Sequence, residues 1–258
     1  MLKKRVVPLL LWSGGKLRKT KQFDEGVVVG DSLKTSRLFS DQQADEIMLL
    51  NIDDSVFGKD LFLETVSRIA REIMMPLSVG GKVRSFNDAR KLFEAGADKI
   101  VMNTIFFEDP VLARAIVASF GSQAVVAGVD YKLETGSEKG MRLFSDRASR
   151  ARPTSVSAHL HSVSLAGAGE VMLQSIDRDG SQTGYDLESL VAVRNLVEVP
   201  LTIAGGARDF SDLKAAFDLG ADAAACGSLF YFGDNNPLRA KSYLANKGIM
   251  VRNHLQFA

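Results

Sequence analysis

The chain has 258 residues, enough for one large domain with a filled core, and its 32 basic and 31 acidic residues leave a formal charge of +1. No global field therefore draws it to nucleic acid or a membrane surface, and any anion binding must be local. A single cysteine, Cys226, excludes an internal disulfide and fits a reducing, cytoplasmic setting.

The chain opens with a charged stretch, Met1 to Arg5, followed by an apolar run from Val6 to Trp12. That run is short for a signal core and lacks a small-residue cleavage site, so it reads as a buried strand over 5–11. No run reaches the roughly 18 apolar residues of a membrane span. Further buried strands are predicted at 46–52, 76–80, 98–103, 123–130, 170–176, 200–204 and 221–227. Helices are predicted between them at 61–73, 86–94, 110–119, 187–196, 210–219 and 237–246, several followed by a glycine suited to a helix end. This alternation belongs to parallel βαβ units, which close into a barrel or lie open as a doubly wound sheet.

An internal repeat favours the barrel. Pro76-Leu-Ser-Val-Gly80-Gly81-Lys82-Val-Arg84 returns as Pro200-Leu-Thr-Ile-Ala204-Gly205-Gly206-Ala-Arg208, and Asn103-Thr104 returns as Gly227-Ser228. The same offset pairs Glu46 and Asp53 with Glu170 and Asp177. The expectation is a single (β/α)8 barrel over 1–258 built from two half-barrels, about 1–122 and 123–258.

Each half supplies a glycine-rich turn and a small polar pair: Gly81 and Lys82 with Asn103 and Thr104, then Gly205 and Gly206 with Gly227 and Ser228. Consecutive N–H groups and a hydroxyl at a helix start form an anion cradle. Glycines that only make tight turns are the alternative, but two cradles in register point to phosphate at both ends of one elongated ligand. The loop from Ile176 to Asp186 contributes Asp179 and Gly180, and Asp130 ends a strand as a candidate general acid–base group. A structural aspartate capping the turn fits its spacing equally. His159 and His161 have no neighbouring ligands for a metal, Cys226 reads as a buried small hydrophobe, and Trp12 could either stack on a ligand at the mouth or pack. No metal or cofactor is expected.

Taken together, Arg5-Val-Val-Pro8, Lys19-Thr20 with Phe23, Ala97-Asp98-Lys99, Asn103-Thr104, Phe120-Gly-Ser-Gln-Ala124, Gly167-Ala-Gly-Glu170 and Ser175-Ile-Asp-Arg-Asp-Gly180 resemble the cyclase subunit of imidazole glycerol phosphate synthase. The resemblance spans nearly the whole chain and weakens over 133–164. It implies a substrate with two phosphates, contacted also by Lys19, and a glutaminase partner that delivers ammonia through the barrel. It further implies that Arg5, Glu46, Lys99 and Glu170 form an ionic gate on the barrel floor, and that Asp98 anchors the glutaminase.

The departures bear on activity. The family pattern places one catalytic aspartate at the end of the first strand and one at the end of the fifth, yet here Leu11 stands at the first position and only Asp130 remains. Asn51 replaces a usual aspartate, and Lys82 replaces a glycine of the first cradle. With Leu9-Leu-Leu-Trp-Ser-Gly-Gly15, these changes resemble a divergent branch concerned with acetamidino modification of surface sugars. That branch implies ammonia supply to a nucleotide-linked acetamido sugar, alongside a separate amidotransferase-type enzyme. The expectation is a non-cyclising synthase subunit of a glutamine amidotransferase complex. The alternatives are a working cyclase of histidine biosynthesis, using Asp130 with Asp179 or Asp53, and a free-standing sugar-phosphate barrel.

Overall fold

A computed structural model describes residues 3–24, 26–55, 58–134 and 140–252; Met1 and Leu2 of the charged opening stretch lie outside them. Strand alternation sets the architecture. Along β1 (Arg5–Ser13) the side chains of Val7 and Leu9 join an inner apolar cluster, whereas Val6, Leu10 and Trp12 join a second cluster under the helices. A strand buried on both faces in this way belongs to a parallel sheet covered by helices.

Eight parallel strands close the ring: β1, β4 (Ile47–Asn51), β5 (Leu77–Gly80), β6 (Lys99–Met102), β7 (Val125–Leu133), β10 (Glu170–Ser175), β11 (Leu201–Ala204) and β12 (Ala223–Cys226). Closure comes from β7 pairing with β10, in register from Val126 with Glu170 to Tyr131 with Ser175. The fold is a (β/α)8 barrel, and each of the eight predicted strands overlaps one of these. The inner cluster adds Met48, Val101, Val126, Met172, Ala204, Ala223 and Ala225, so the barrel is packed rather than hollow.

Helices cover the outside. They are α1 (Ser32–Asp41), α2 (Gly58–Ala70), α3 (Phe86–Glu94), α5 (Pro110–Phe120), α6 (Val156–Ala166), α7 (Leu187–Arg194), α8 (Phe210–Asp218) and α10 (Pro237–Asn246). Side-chain caps fix many of their starts, as when Ser85 accepts from Asp88 N and Asp209 and Asp212 form a reciprocal capping box. Two short helices, α4 (Thr104–Glu108) and α9 (Ser228–Tyr231), follow β6 and β12 and repeat the two-fold relation.

Helices are expected between all the strands, with no bounds set for α1 and α6, and the predicted strands omit two antiparallel excursions. β2 (Lys16–Lys19) and β3 (Val27–Asp31) hang from β1, and β8 (Met141–Ser145) and β9 (Arg150–Ala151) hang from β7. The β2–β3 ribbon carries no buried apolar run, and Val27 and Val28 stay exposed, so hydrophobic periodicity had nothing to register. α2 begins at Gly58, three residues before its predicted start. Trp12 does not stand at the mouth. It is fully buried against Phe62 with ring centroids 5.0 Å apart, because its place on β1 turns it outward.

The last helix is fastened to the first strands by one buried ion pair. Lys241 Nζ donates to Asp45 Oδ1 at 2.9 Å and to the Gln43 carbonyl at 2.8 Å, while Asp45 Oδ2 accepts from Val6 N at 2.9 Å. Truncating one member strands the other charge in the interior. Lys241→Ala is therefore expected to cost about 3–5 kcal/mol in urea unfolding, whereas Lys214→Ala, at a half-buried surface position, should stay within about 0.5 kcal/mol.

Candidate functional site

The floor of the barrel holds four charges in a closed cycle. Arg5 donates to Glu46 Oε2 at 2.5 Å and to Glu170 Oε1 at 2.7 Å, and Lys99 Nζ donates to the same two carboxylates at 2.9 and 3.0 Å. Ser78 donates its hydroxyl to Glu46 Oε1, and Thr202, its equivalent in the other half, donates to Glu170 Oε1, both at 2.5 Å. Burial works against every charge here. For Arg5 it is outweighed by Glu170 and Glu46, which hold the guanidinium above its ordinary value. For Glu170 it is outweighed by Arg5 and Lys99, which hold the carboxyl below its ordinary value. The four residues singled out in the sequence meet because each starts or directly precedes a strand of the ring, at the same lower end of the barrel. Asp98 lies on this lower face, exposed, with Oδ2 accepting from Leu77 N at 2.8 Å.

From Arg5 to Leu11 is six residues of strand, about 20 Å. At the upper end a cavity of ≈ 540 Å³ is lined by Leu11, Leu50 and Met172 on apolar wall and by Asn103, Asp130 and Gln174 on polar wall. Asp130 accepts from Asn103 Nδ2 at 2.8 Å. Burial pushes its carboxyl up to about 7, the Asn103 bond pulls it down, and the charge of Asp179 pushes it up further. Asn103 Oδ1 is buried and has no hydrogen-bond partner among the described residues. It is free to accept from a ligand.

Both cradles open on the mouth. Leu11 and Thr20 line the large cavity and also a second, tight one of ≈ 30 Å³ formed by Lys19, Asp179, Gly180, Gly205, Gly206, Gly227 and Ser228. Gly81 and Gly205 require glycine: φ is +92 and +90, and a Cβ would lie 2.2 Å from the Asn51 carbonyl and 2.5 Å from that of Ser175. Lys82 departs from this pattern. It keeps a left-handed φ of +63 and reaches an ion pair with Asp54. On the first cradle Thr104 Oγ1 accepts from Asp146 N at 3.3 Å.

The loops above the mouth hold one another. Thr20 donates its hydroxyl to Asp179 Oδ2 at 2.6 Å, and Gln22 N donates to the Asp179 carbonyl at 3.0 Å. Burial raises the Asp179 carboxyl above its ordinary value despite bonds from Thr20 and Phe23 and the charge of Lys19. Asp53 faces elsewhere, accepting from Gly14 N and Ser55 N, so it is not a substitute acid in the cavity. Left-handed backbone at residues other than glycine gathers here: Gln22, Phe23, Lys82, Asp146, Arg147, Ala148 and Gln182. At about 1–3 kcal/mol each, such strain persists only where surrounding contacts enforce it, typically at ligand sites.

Sequence reasoning missed Asp54, Asp146 and Arg147, which line the large cavity. They lie in loops whose residues differ between the two halves, Asp54 standing opposite Arg178, and Arg147 sits on the β8–β9 turn, where the resemblance weakens. His159 packs inside α6, stacked on Phe107 at 3.9 Å, and Cys226 is buried beside Tyr185. Among the described residues no group of three or more His, Cys, Asp or Glu could hold a metal, and no helix is long and apolar enough to cross a membrane.

The family profile described as Histidine biosynthesis protein matches residues 5–236. The chain is 37% identical over 255 residues to an imidazole glycerol phosphate synthase subunit HisF of Dictyoglomus thermophilum, covering 98% of this chain and 99% of that one. It is also 37% identical over 253 residues to the subunit of the same name from Chloroherpeton thalassium, covering 98% and 100%.

The position of Asp130 sets a pH dependence. An unfolded chain releases this proton near 3.9, whereas the folded chain keeps it to about 7. The folded state thus binds more protons between those values, and its stability falls as pH rises through that window. Asp130→Asn removes the loss. Urea unfolding should show little difference from the parent at pH 3.5 and a gain at pH 8 of up to about 4 kcal/mol; an equal difference at both pH values would contradict the shift.

Proposed function

The chain belongs to the histidine biosynthesis protein family, and from that premise we propose that it is a HisF-like synthase subunit that no longer cyclises. In this reading it works with a glutaminase, receives ammonia at its lower face and presents it to a phosphorylated ligand at its upper face. One observation carries the proposal: at the mouth Leu11 stands on the wall of the cavity that holds Asp130, while the ionic ring beneath is complete.

Ring closure of the family type needs two proton-handling groups flanking the substrate, one to give and one to take. Asp130, with its carboxyl near 7, is divided between both forms close to neutral pH and is suited to either task. Leu11 and its neighbour Leu50 handle no protons. Asp179 is the remaining candidate, but its Oδ2 is engaged by Thr20 and Phe23. General acid–base catalysis contributes about 10²–10⁴-fold per group, so loss of one group removes most of the cyclase rate.

The lower half of the barrel retains what delivery requires. Arg5, Glu46, Lys99 and Glu170 neutralise one another, so the ring can be buried without an unpaired charge. Above it Val7, Leu9, Met48 and Met172 make an apolar interior that a small neutral molecule such as ammonia crosses more readily than ammonium. Lys99 holds each carboxylate by one ammonium on a flexible stem, so it is the member that swings aside. Asp98, exposed on the same face, is the contact for the glutaminase. At the top, the two cradles hold the phosphates of a bis-phosphate or of a nucleotide-linked sugar, and a separate amidotransferase-type enzyme completes the transfer. The working compartment is the cytoplasm.

Purified chain supplied with ammonia and the phosphorylated histidine-pathway intermediate is expected to show turnover at least about 10²-fold below a working cyclase. Leu11→Asp should recover part of that rate. Mixed with its glutaminase, the parent chain should raise glutamine hydrolysis, and Asp98→Lys should abolish the increase. Near-normal turnover by the parent chain would instead identify a cyclase of histidine biosynthesis.

A further inference from the structure

The two cradles repeat in the backbone but not in their charges. Around the first, two ion networks line or flank the large cavity. Lys82 and Arg147 share the single carboxylate of Asp54, Arg147 Nη1 reaching Oδ2 at 3.0 Å. Arg84, Arg150 and Arg152 share Glu108 and Asp146. Each network carries one positive charge in excess. The remaining carboxyl on this wall, Asp130, is turned to Asn103. The second cradle borders a cavity of ≈ 30 Å³ lined by Arg18, Lys19 and Asp179.

Asp54 is the loosest member of its network. Its side chain is 68% exposed, against 29% for both Lys82 and Arg147. The two cations are held by other means. Arg147 donates to the carbonyls of Ile52 at 3.0 Å and Phe23 at 3.4 Å, and a one-turn left-handed run, Asp146 to Ala148, aims it over the mouth. Lys82 occupies a left-handed position where the other half has Gly206. An exposed carboxylate held by surface ion pairs is weakly retained and gives way to an anion of higher charge.

We infer that Lys82 and Arg147 form an anion subsite that extends the first cradle to take a diphosphate group, and that the Asp54 carboxylate fills it until the ligand arrives. With Asp54 displaced, the two networks carry three positive charges in excess on this wall, offset in part at Lys82 by the Asp53 carboxylate. A single phosphomonoester, carrying about two negative charges at neutral pH, leaves part of that charge unanswered. A second phosphoryl group answers it, and the ≈ 540 Å³ cavity has room for one together with the organic part it bears. The first phosphoryl sits on the Gly81 and Thr104 donors, and the second bridges Lys82 and Arg147. The inference rests on the reading that the glycine turns hold phosphoryl groups, and it names the class of ligand they select.

The test is calorimetric titration of the purified chain with inorganic pyrophosphate and, separately, inorganic phosphate. Pyrophosphate is expected to bind at least tenfold tighter. Arg147→Ala and Lys82→Gly should each weaken pyrophosphate about tenfold and leave phosphate within twofold. Asp54→Asn should tighten pyrophosphate and leave phosphate within twofold, a gain that misfolding cannot produce. Equal affinity for the two anions, or no effect of Arg147→Ala, or weaker binding by Asp54→Asn, would overturn the subsite. Such a result beside a normal stimulation of the glutaminase leaves the proposed function standing. The expected result beside near-normal cyclase turnover keeps the subsite and removes that function.

Discussion

A parallel strand closed into an eight-membered ring sends alternate side chains to the axis, and nearly every functional feature of this chain follows from that constraint. On β1 the inward positions are Arg5, Val7, Leu9 and Leu11, so one strand contributes a charge to the floor, two apolar residues to the interior and one residue to the mouth. The outward positions, Val6, Leu10 and Trp12, go to the shell under the helices. A change at one of these seven positions therefore acts at a defined level of the barrel. Leu11 lines the cavity at the top, about 20 Å from the ring of charges below.

The ring and the mouth illustrate two uses of buried charge. In the floor, two cations and two carboxylates satisfy one another, with Ser78 and Thr202 filling the remaining acceptor positions. Arg5 and Glu170 are held in their charged forms despite burial. At the mouth, Asp130 has Asn103 as its one side-chain donor among the described residues, and burial drives its carboxyl to about 7. The first arrangement is fixed, whereas the second can exchange protons near neutral pH. The two arrangements are separated along the barrel axis, so a residue change at the mouth leaves the ionic ring below untouched.

Duplication supplies a second theme. Gly81 and Gly205, Ser78 and Thr202, and Glu46 and Glu170 do equivalent work in the two halves, and α4 and α9 repeat one another after β6 and β12. The halves diverge where loops leave the ring. Lys82 stands where the other half keeps Gly206, and the β8–β9 excursion brings Arg147 over the first cradle, which makes the upper rim asymmetric in both charge and space.

The chain's own residue pattern determined the eight strands, their parallel order and the two-fold repeat, because apolar runs buried on both faces and glycines forced by close carbonyls leave marks in sequence. The resemblance to the cyclase subunit, carried by motifs along the chain, pointed to the four floor residues and to Leu11 as a departure. Only the tertiary structure decided that Trp12 faces the shell, that Asp53 is spent on Gly14 and Ser55, and that Asp54, Asp146 and Arg147 converge on the first cradle. Those outcomes depend on loop paths set by hydrogen bonds such as Arg147 to the Ile52 and Phe23 carbonyls, distant in sequence and without periodicity to announce them.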